Sequence, residues 1–239
     1  MPAIRLENVT KKYRNSEHPG LAVSHVDLTV AQGEFIFLVG SRGAGKSTLL
    51  DLLSGKTMPN KGRVYLDDVP VHFMGMQRSR LRSLVGRVPE KTELIRNKTI
   101  QWNLTSRNPM TRLEDSLHGK PLIQKSLGLV GMPGVERRYP REFSISDCRR
   151  IELAKAILHS PALLLLDEIT EQMDDDTIWD LLHLLSELNA HGTTVIMVTN
   201  AVRYINIMRK RVITMADGRI VGDVRRGRYD TVLARRRPR

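Results

Sequence analysis

The sequence predicts an α/β fold: a parallel sheet with crossover helices, an N-terminal β region and an inserted helical lobe. Three observations carry this. A wholly apolar run, Phe35–Val39, leads into a glycine-rich turn and then a helix-like stretch, STLLDLLSG. Two more apolar runs, LLLLDE (163–168) and TTVIMVT (193–199), flank TIWDLLHLLSELNA (177–190), whose apolar residues recur at helical spacing. Strand, helix, strand in that order requires a parallel pair joined by a crossover. The segment from about Pro89 to Arg150, in contrast, holds Pro109, Pro121, Pro133 and Pro140, short amphipathic stretches and no convincing strand.

Taken in order, Ile4, Leu6 and Val9 are spaced for a short strand, and Val26, Leu28 and Val30 alternate with Asp27 and Thr29 as a second. Between them RNSEHPG (14–20) is loop chemistry. Continuous apolar runs such as FIFLV suit strands buried on both faces. Gly55 and Gly192 stand where the two clearest helices should stop. VITMADGRIVGD (212–223) reads as a closing hairpin turning at Asp217-Gly218.

The 239 residues suit one α/β core with an added lobe. With 41% hydrophobic and 27% charged residues, wholesale disorder is excluded. No apolar run approaches the ~20 residues of a membrane-spanning helix. MPAIRLENVT lacks a basic-then-apolar leader, so a cytoplasmic chain is expected. The single Cys148 excludes an internal disulfide framework. A net charge of +12 points to an anionic partner. From Val221 onward seven Arg stand against Asp223 and Asp230, a net +5, so the basic tail (224–239) is expected to add to this attraction, toward either an anionic membrane surface or nucleic acid.

Gly40-Ser41-Arg42-Gly43-Ala44-Gly45-Lys46-Ser47 fits the phosphate-binding pattern GxxxxGK[ST], with Thr48 continuing it into the helix. The glycines let successive N–H groups turn inward, and the helix adds the positive end of its dipole. Lys46 is expected at the β- and γ-phosphates and the Ser47 hydroxyl on Mg2+, so ATP and Mg2+ are the implied cofactors. Asp167, ending a buried strand, is placed to hold Mg2+, and Glu168 to polarise a water for attack on the γ-phosphate.

The order of these motifs resembles the ATP-binding-cassette ATPases over almost the whole chain. Within that superfamily it is most similar to the FtsE family of cell-division ATP-binding subunits, through IRLENVTKKY, GAGKSTLLDLLSG, NKGRVYLDD, YPREFS…AKAIL and RVITMADGRIVG. Related exporter cassettes share much of this. The resemblance implies a P-loop NTPase (RecA-like) core with an N-terminal antiparallel β subdomain. It implies one cassette domain over 1–223 with the helical subdomain at roughly 90–150. It also implies an ATP-dependent dimer, homo- or heteromeric, and an integral membrane partner of the FtsX permease type, with the chain peripheral at the inner face of the cell membrane. A nucleic-acid-associated cassette would usually carry two cassettes or a long coiled coil, and neither is present.

Position by position, Tyr13 matches the aromatic that stacks on adenine, and Glu90 falls where the family has a glutamine that touches Mg2+. Phe143-Ser144-Ile145-Ser146-Asp147 falls on the LSGGE signature, Asp174 on the loop crossing the dimer interface, and Asn200 on the switch histidine. In the family each signature clamps the γ-phosphate held by the other subunit. Here its glycines are Ile145 and Ser146, and a β-branched residue resists φ > 0. Asn200 donates a neutral hydrogen bond but carries no proton to pass on. Ile169 and Glu171 replace a Pro and a Gly in the crossing loop. The sequence therefore points to intact Mg-ATP binding and impaired turnover. Two classes remain open: a weak ATPase driving a membrane partner, and a hydrolysis-deficient ATP-binding module, regulatory or structural, that could pair with a more complete cassette.

Overall fold

The computed structural model describes residues 2–13, 21–71, 83–105, 119–171 and 173–227. The 14–20 loop and the arginine-rich end from 228 onward lie outside them. The chain divides into two compact units, one formed by Met1–Met76 with Thr194–Arg239 and the other by Gln77–Thr193.

In the first unit, β1 (Pro2–Lys12) and β2 (Leu21–Ala31) pair antiparallel, and β1 also pairs with β4 (Lys61–Leu66), which β5 (Val69–Pro70) continues. The first strand runs 11 residues, longer than Ile4–Val9, because a bulge at Asn8 (φ 47°) lets it bend and go on pairing. Gly62 faces that bulge: a Cβ there would stand 2.3 Å from the carbonyl oxygen of Asn8.

The same unit carries a second sheet segment in the order β10, β9, β3, β8. Here β3 (Phe35–Val39) lies parallel to both β8 (Thr194–Val198) and β9 (Arg211–Ala216), with every β3 and β8 residue buried. This is why both read as unbroken apolar runs. β9 turns into β10 (Arg219–Val224) through Asp217 (φ 49°) and Gly218 (φ 73°), the paired left-handed geometry of a tight hairpin turn. Helix α1 (Lys46–Leu53) follows β3 and ends at Gly55 (φ 66°). Helix α6 (Val202–Met208) follows β8.

In the second unit β6 (Val85–Val88) and β7 (Leu163–Asp167) run parallel. Around them come α2 (Ile100–Thr105), α3 (Gly119–Leu129), a 3-10 turn at Pro140–Glu142, α4 (Ile145–Ile157) and α5 (Asp175–Ala190). The helical content expected of the middle segment is thus present. Helix α4 is its spine, packing on β6, α2 and α3 with Ile151, Leu153, Ala154 and Ile157 buried. No described helix is long and apolar enough to cross a membrane.

Candidate functional site

The phosphate-binding pattern forms a tight loop at the carboxyl end of β3. Gly40 (φ 154°) and Gly45 (φ 97°) have no room for a side chain: a Cβ on Gly40 would lie 2.3 Å from the Met215 carbonyl oxygen, and one on Gly45 2.1 Å from that of Ala22. Gly43 (φ 78°) needs glycine for its conformation alone, since nothing lies within 4 Å of its missing Cβ. The closing hairpin supports the loop from behind. Gly218 N donates to Ala44 O at 3.1 Å, and Ser24 N donates to Gly218 O at 2.8 Å. Lys46 is buried, its Nζ donating to Gly40 O (2.8 Å) and Ser41 O (3.1 Å). Ser41 and Arg42 are exposed at the tip, and Ser47 and Thr48 are half-buried. A loop with this clearance, an ammonium held against its own carbonyls and a helix start behind it has the donors a polyphosphate requires.

The parallel register Leu38↔Val198 brings Asn200 to the same edge as Gly40. Asn200 is exposed, and its carbonyl accepts from Val202 N at 2.9 Å. Tyr13, just past β1, carries the Lys11 ammonium 5.1 Å from its ring centroid.

In the second unit, the register Val88↔Leu166 sends Pro89-Glu90 and Asp167-Glu168 out of the same end of neighbouring strands. Glu90 is exposed, Asp167 is 1% exposed and Glu168 is half-buried. Glu168 has φ 47°, a costly conformation for a residue with a side chain. Ile169, next to it, is fully buried.

The signature segment is satisfied within itself. Ser144 caps α4: its Oγ accepts from Asp147 N (3.1 Å) and donates to Asp147 Oδ2 (2.7 Å). Ile145 and Ser146 lie in the first turn of the helix with no positive φ, so the β-branched residue meets no backbone strain; its side chain is instead 61% exposed. Asp174 caps α5, with Oδ1 accepting from Thr177 N (2.8 Å) and Oδ2 from Thr177 Oγ1 (2.9 Å), and these bonds hold its carboxyl below the ordinary aspartate range.

Sequence reasoning passed over Arg149 and Glu152, an ion pair at 2.7 Å with side chains only 5% and 4% exposed. The signal was two opposite charges three apart among Ile151, Leu153 and Ala154, which reads at first as a solvated helix face.

This loop, parallel core and helical lobe define a nucleotide-binding cassette, and the ABC transporter family matches residues 23–171. The chain belongs to that family, whose members are ATPases. It resembles FtsE: it is 33% identical to the cell division ATP-binding protein FtsE of Mycobacterium tuberculosis, with 95% of this chain and 97% of that protein covered. The methionine import ATP-binding protein MetN 2 of Rhodococcus jostii is 32% identical over 92% of this chain and 65% of its own length. Among solved structures, the dimeric post-hydrolysis state of the ATP-binding cassette MJ0796, bound to ADP and Pi, superposes with a TM-score of 0.81 at 27% identity, covering 94% of this chain and 99% of that one. The fold is therefore that of a P-loop NTPase cassette, with the antiparallel β2–β1–β4–β5 sheet and the helical lobe as its additions.

Proposed function

We propose that this chain is an FtsE-like ATPase subunit that binds Mg-ATP and couples nucleotide binding and slow hydrolysis to an FtsX-like permease in cell division. The observation that carries the nucleotide assignment is the loop at Gly40–Ser47, where two glycines leave no space for a Cβ and Lys46 is buried against the loop carbonyls. The near-full-length likeness to proteins named FtsE supports the cell-division partner.

In this reading the cassette is one domain over 1–223 with its helical lobe at about 90–150, and the tail from 224 rests on anionic lipid at the inner face of the cell membrane. Gly40 to Thr48 wrap the phosphates, Lys46 neutralises the β- and γ-oxygens, and Tyr13 stacks on adenine. Ser47, Asp167 and Glu90 would hold Mg2+, which supplies charge neutralisation at the leaving phosphate when bound. Glu168 orients the attacking water and accepts its proton. Asn200 gives one neutral hydrogen bond at the switch position. Ser144, Ile145, Ser146 and Asp174 belong to the dimer face.

A second reading, an ATP-dependent scaffold without turnover, draws on the signature: the Ser144 hydroxyl donates its hydrogen bond to Asp147, and Ile145 presents an exposed apolar side chain where the family has glycine. Phosphate release by the full chain, measured with and without the membrane partner, separates the two. Turnover that rises with the partner supports the ATPase. ATP binding with no phosphate release in either condition supports the scaffold.

A further inference from the structure

Outside the motifs, the Arg149 guanidinium on α4 is a heavily committed charged group of the second unit. Its Nη1 donates to the carbonyl oxygen of Pro89 (2.6 Å) and to Glu152 Oε2 (2.7 Å), and its Nη2 donates to the carbonyl oxygen of Asp167 (3.2 Å). The other oxygen of Glu152 accepts from the backbone N–H of Glu93 (2.7 Å). Two charges buried to this depth are costly to desolvate, and such a pair persists only where its remaining donors and acceptors are filled. Here they are filled by backbone, at three points in two separate segments.

The three points are not arbitrary. The Pro89 carbonyl belongs to the peptide unit whose nitrogen is that of Glu90. The Asp167 carbonyl belongs to the unit whose nitrogen is that of Glu168. A planar peptide held by its oxygen has its N–H direction held too. Rotation about the next bond then places the side chain, and for Glu168 that rotation is φ 47°, a conformation its surroundings must impose.

We propose that Arg149, locked by Glu152, is a positioning residue that sets the Glu90 and Glu168 carboxylates jointly, through the peptide carbonyl preceding each. Its hydrolytic consequence rests on the reading of Glu168 given above. The planar guanidinium fork is what lets one charge serve two carbonyls and a carboxylate, so lysine is not an equivalent. A shift of the 89–93 segment is thereby passed to Glu168 along one side chain.

The test uses the full chain carrying Arg149→Gln with Glu152→Ala, which removes both charges and leaves neither buried alone. By amide exchange, segments 88–95 and 166–171 should both lose protection, by about 10-fold or more, since each loses charge-assisted hydrogen bonds. The phosphate-loop segment 35–53 should be unchanged. In turnover, kcat should fall about 10- to 100-fold with the KM for Mg-ATP held, the signature of a misplaced group rather than a damaged binding site. Adding the pair of changes to Glu168→Gln should cost nothing further. Native protection in both segments, loss in only one, or a raised KM with kcat intact would overturn the proposal. If the wild-type chain binds Mg-ATP and releases no phosphate, the hydrolytic reading fails, and the exchange result alone decides the role of Arg149. Should the double variant not fold, Arg149→Lys keeps a partner for Glu152 while giving up the fork, and the same joint loss is expected.

Discussion

The phosphate loop and the signature segment are both glycine-patterned turns in their family, and this chain treats them in opposite ways. At the loop the backbone keeps every position that demands glycine, and the buried cation there, Lys46, is held by loop carbonyls. At the signature the glycines are gone, the helix starts without strain, and the remaining hydroxyl is spent on capping its own helix. The first region needs its glycines to fold as it does, and the second folds without them. If the two segments act as proposed, binding and turnover separate in this protein, and variants in the loop and in the signature test the two sides of that divide.

The largest effect is expected at the loop. Lys46→Ala removes the ammonium held by the loop carbonyls, which is proposed to meet the phosphates, and should weaken Mg-ATP binding about 100-fold or more, measured by calorimetry. Gly45→Ala should do as much by another route, because its Cβ would stand 2.1 Å from the Ala22 carbonyl oxygen at φ 97°. Unchanged affinity in both variants would end the assignment of this loop to nucleotide.

Next comes turnover. Asn200→His with Ile145→Gly and Ser146→Gly restores the family pattern, and phosphate release should rise about 100-fold if the missing donors limit the rate. Glu168→Gln in that background should remove the gain while keeping the shape. No gain, with ATP binding normal, would favour the scaffold. A wild-type rate already typical of the superfamily would show that the altered residues cost little.

The same divide governs what is legible in the amino-acid sequence alone. β3 is FIFLV to the residue, because a strand buried on both faces leaves no polar position to blur its ends. β6 is not legible: VGRV carries a glycine that reads as a turn, yet Gly86 is there because α4 passes so close that a Cβ would meet the Ala156 carbonyl oxygen at 2.3 Å. The glycine loop after β3 is legible because the residues that shape it are adjacent in sequence. Arg149 is not, because beside Glu152 its partners lie 60 and 18 residues away and only the fold brings them together. Ile145 differs in kind from its expectation: the sequence suggests a backbone problem, and the structure shows a helical residue with an exposed side chain.

A further effect, sensitive to salt, is expected outside the cassette core. Truncation after Asp223 removes seven Arg, each worth about 1 kcal/mol near an anionic surface if it reaches the membrane. Sedimentation with phosphatidylserine vesicles should show weaker binding by the truncated chain, with the difference shrinking at high salt. Equal binding by both chains, or a preference of the intact protein for DNA at physiological salt, would remove the membrane role of the tail.

The smallest effect concerns Asp174, whose two oxygens cap α5 through Thr177. Its carboxyl is held below the ordinary value, first by the Thr177 backbone N–H and then by the Thr177 hydroxyl. A group depressed in the folded state stabilises it most above its unfolded pKa, and that contribution disappears as pH falls through the lower, folded value. The cap should therefore be fully effective at neutral pH and fade on acidification from about pH 4 downward, the ordinary aspartate range. Asp174→Ala should lower Tm by about 2–4 °C at pH 7, the usual scale for one lost cap in a chain of this size. Other carboxylates titrate in the same window, Glu142 beside Arg138 among them, so the quantity to follow is the difference in Tm between the two proteins. That difference should narrow as pH drops toward 3. A gap that stays constant with pH would mean that the charge of Asp174 contributes nothing to the cap. No gap at pH 7 would mean that the two hydrogen bonds from Thr177 add nothing to the stability of the fold.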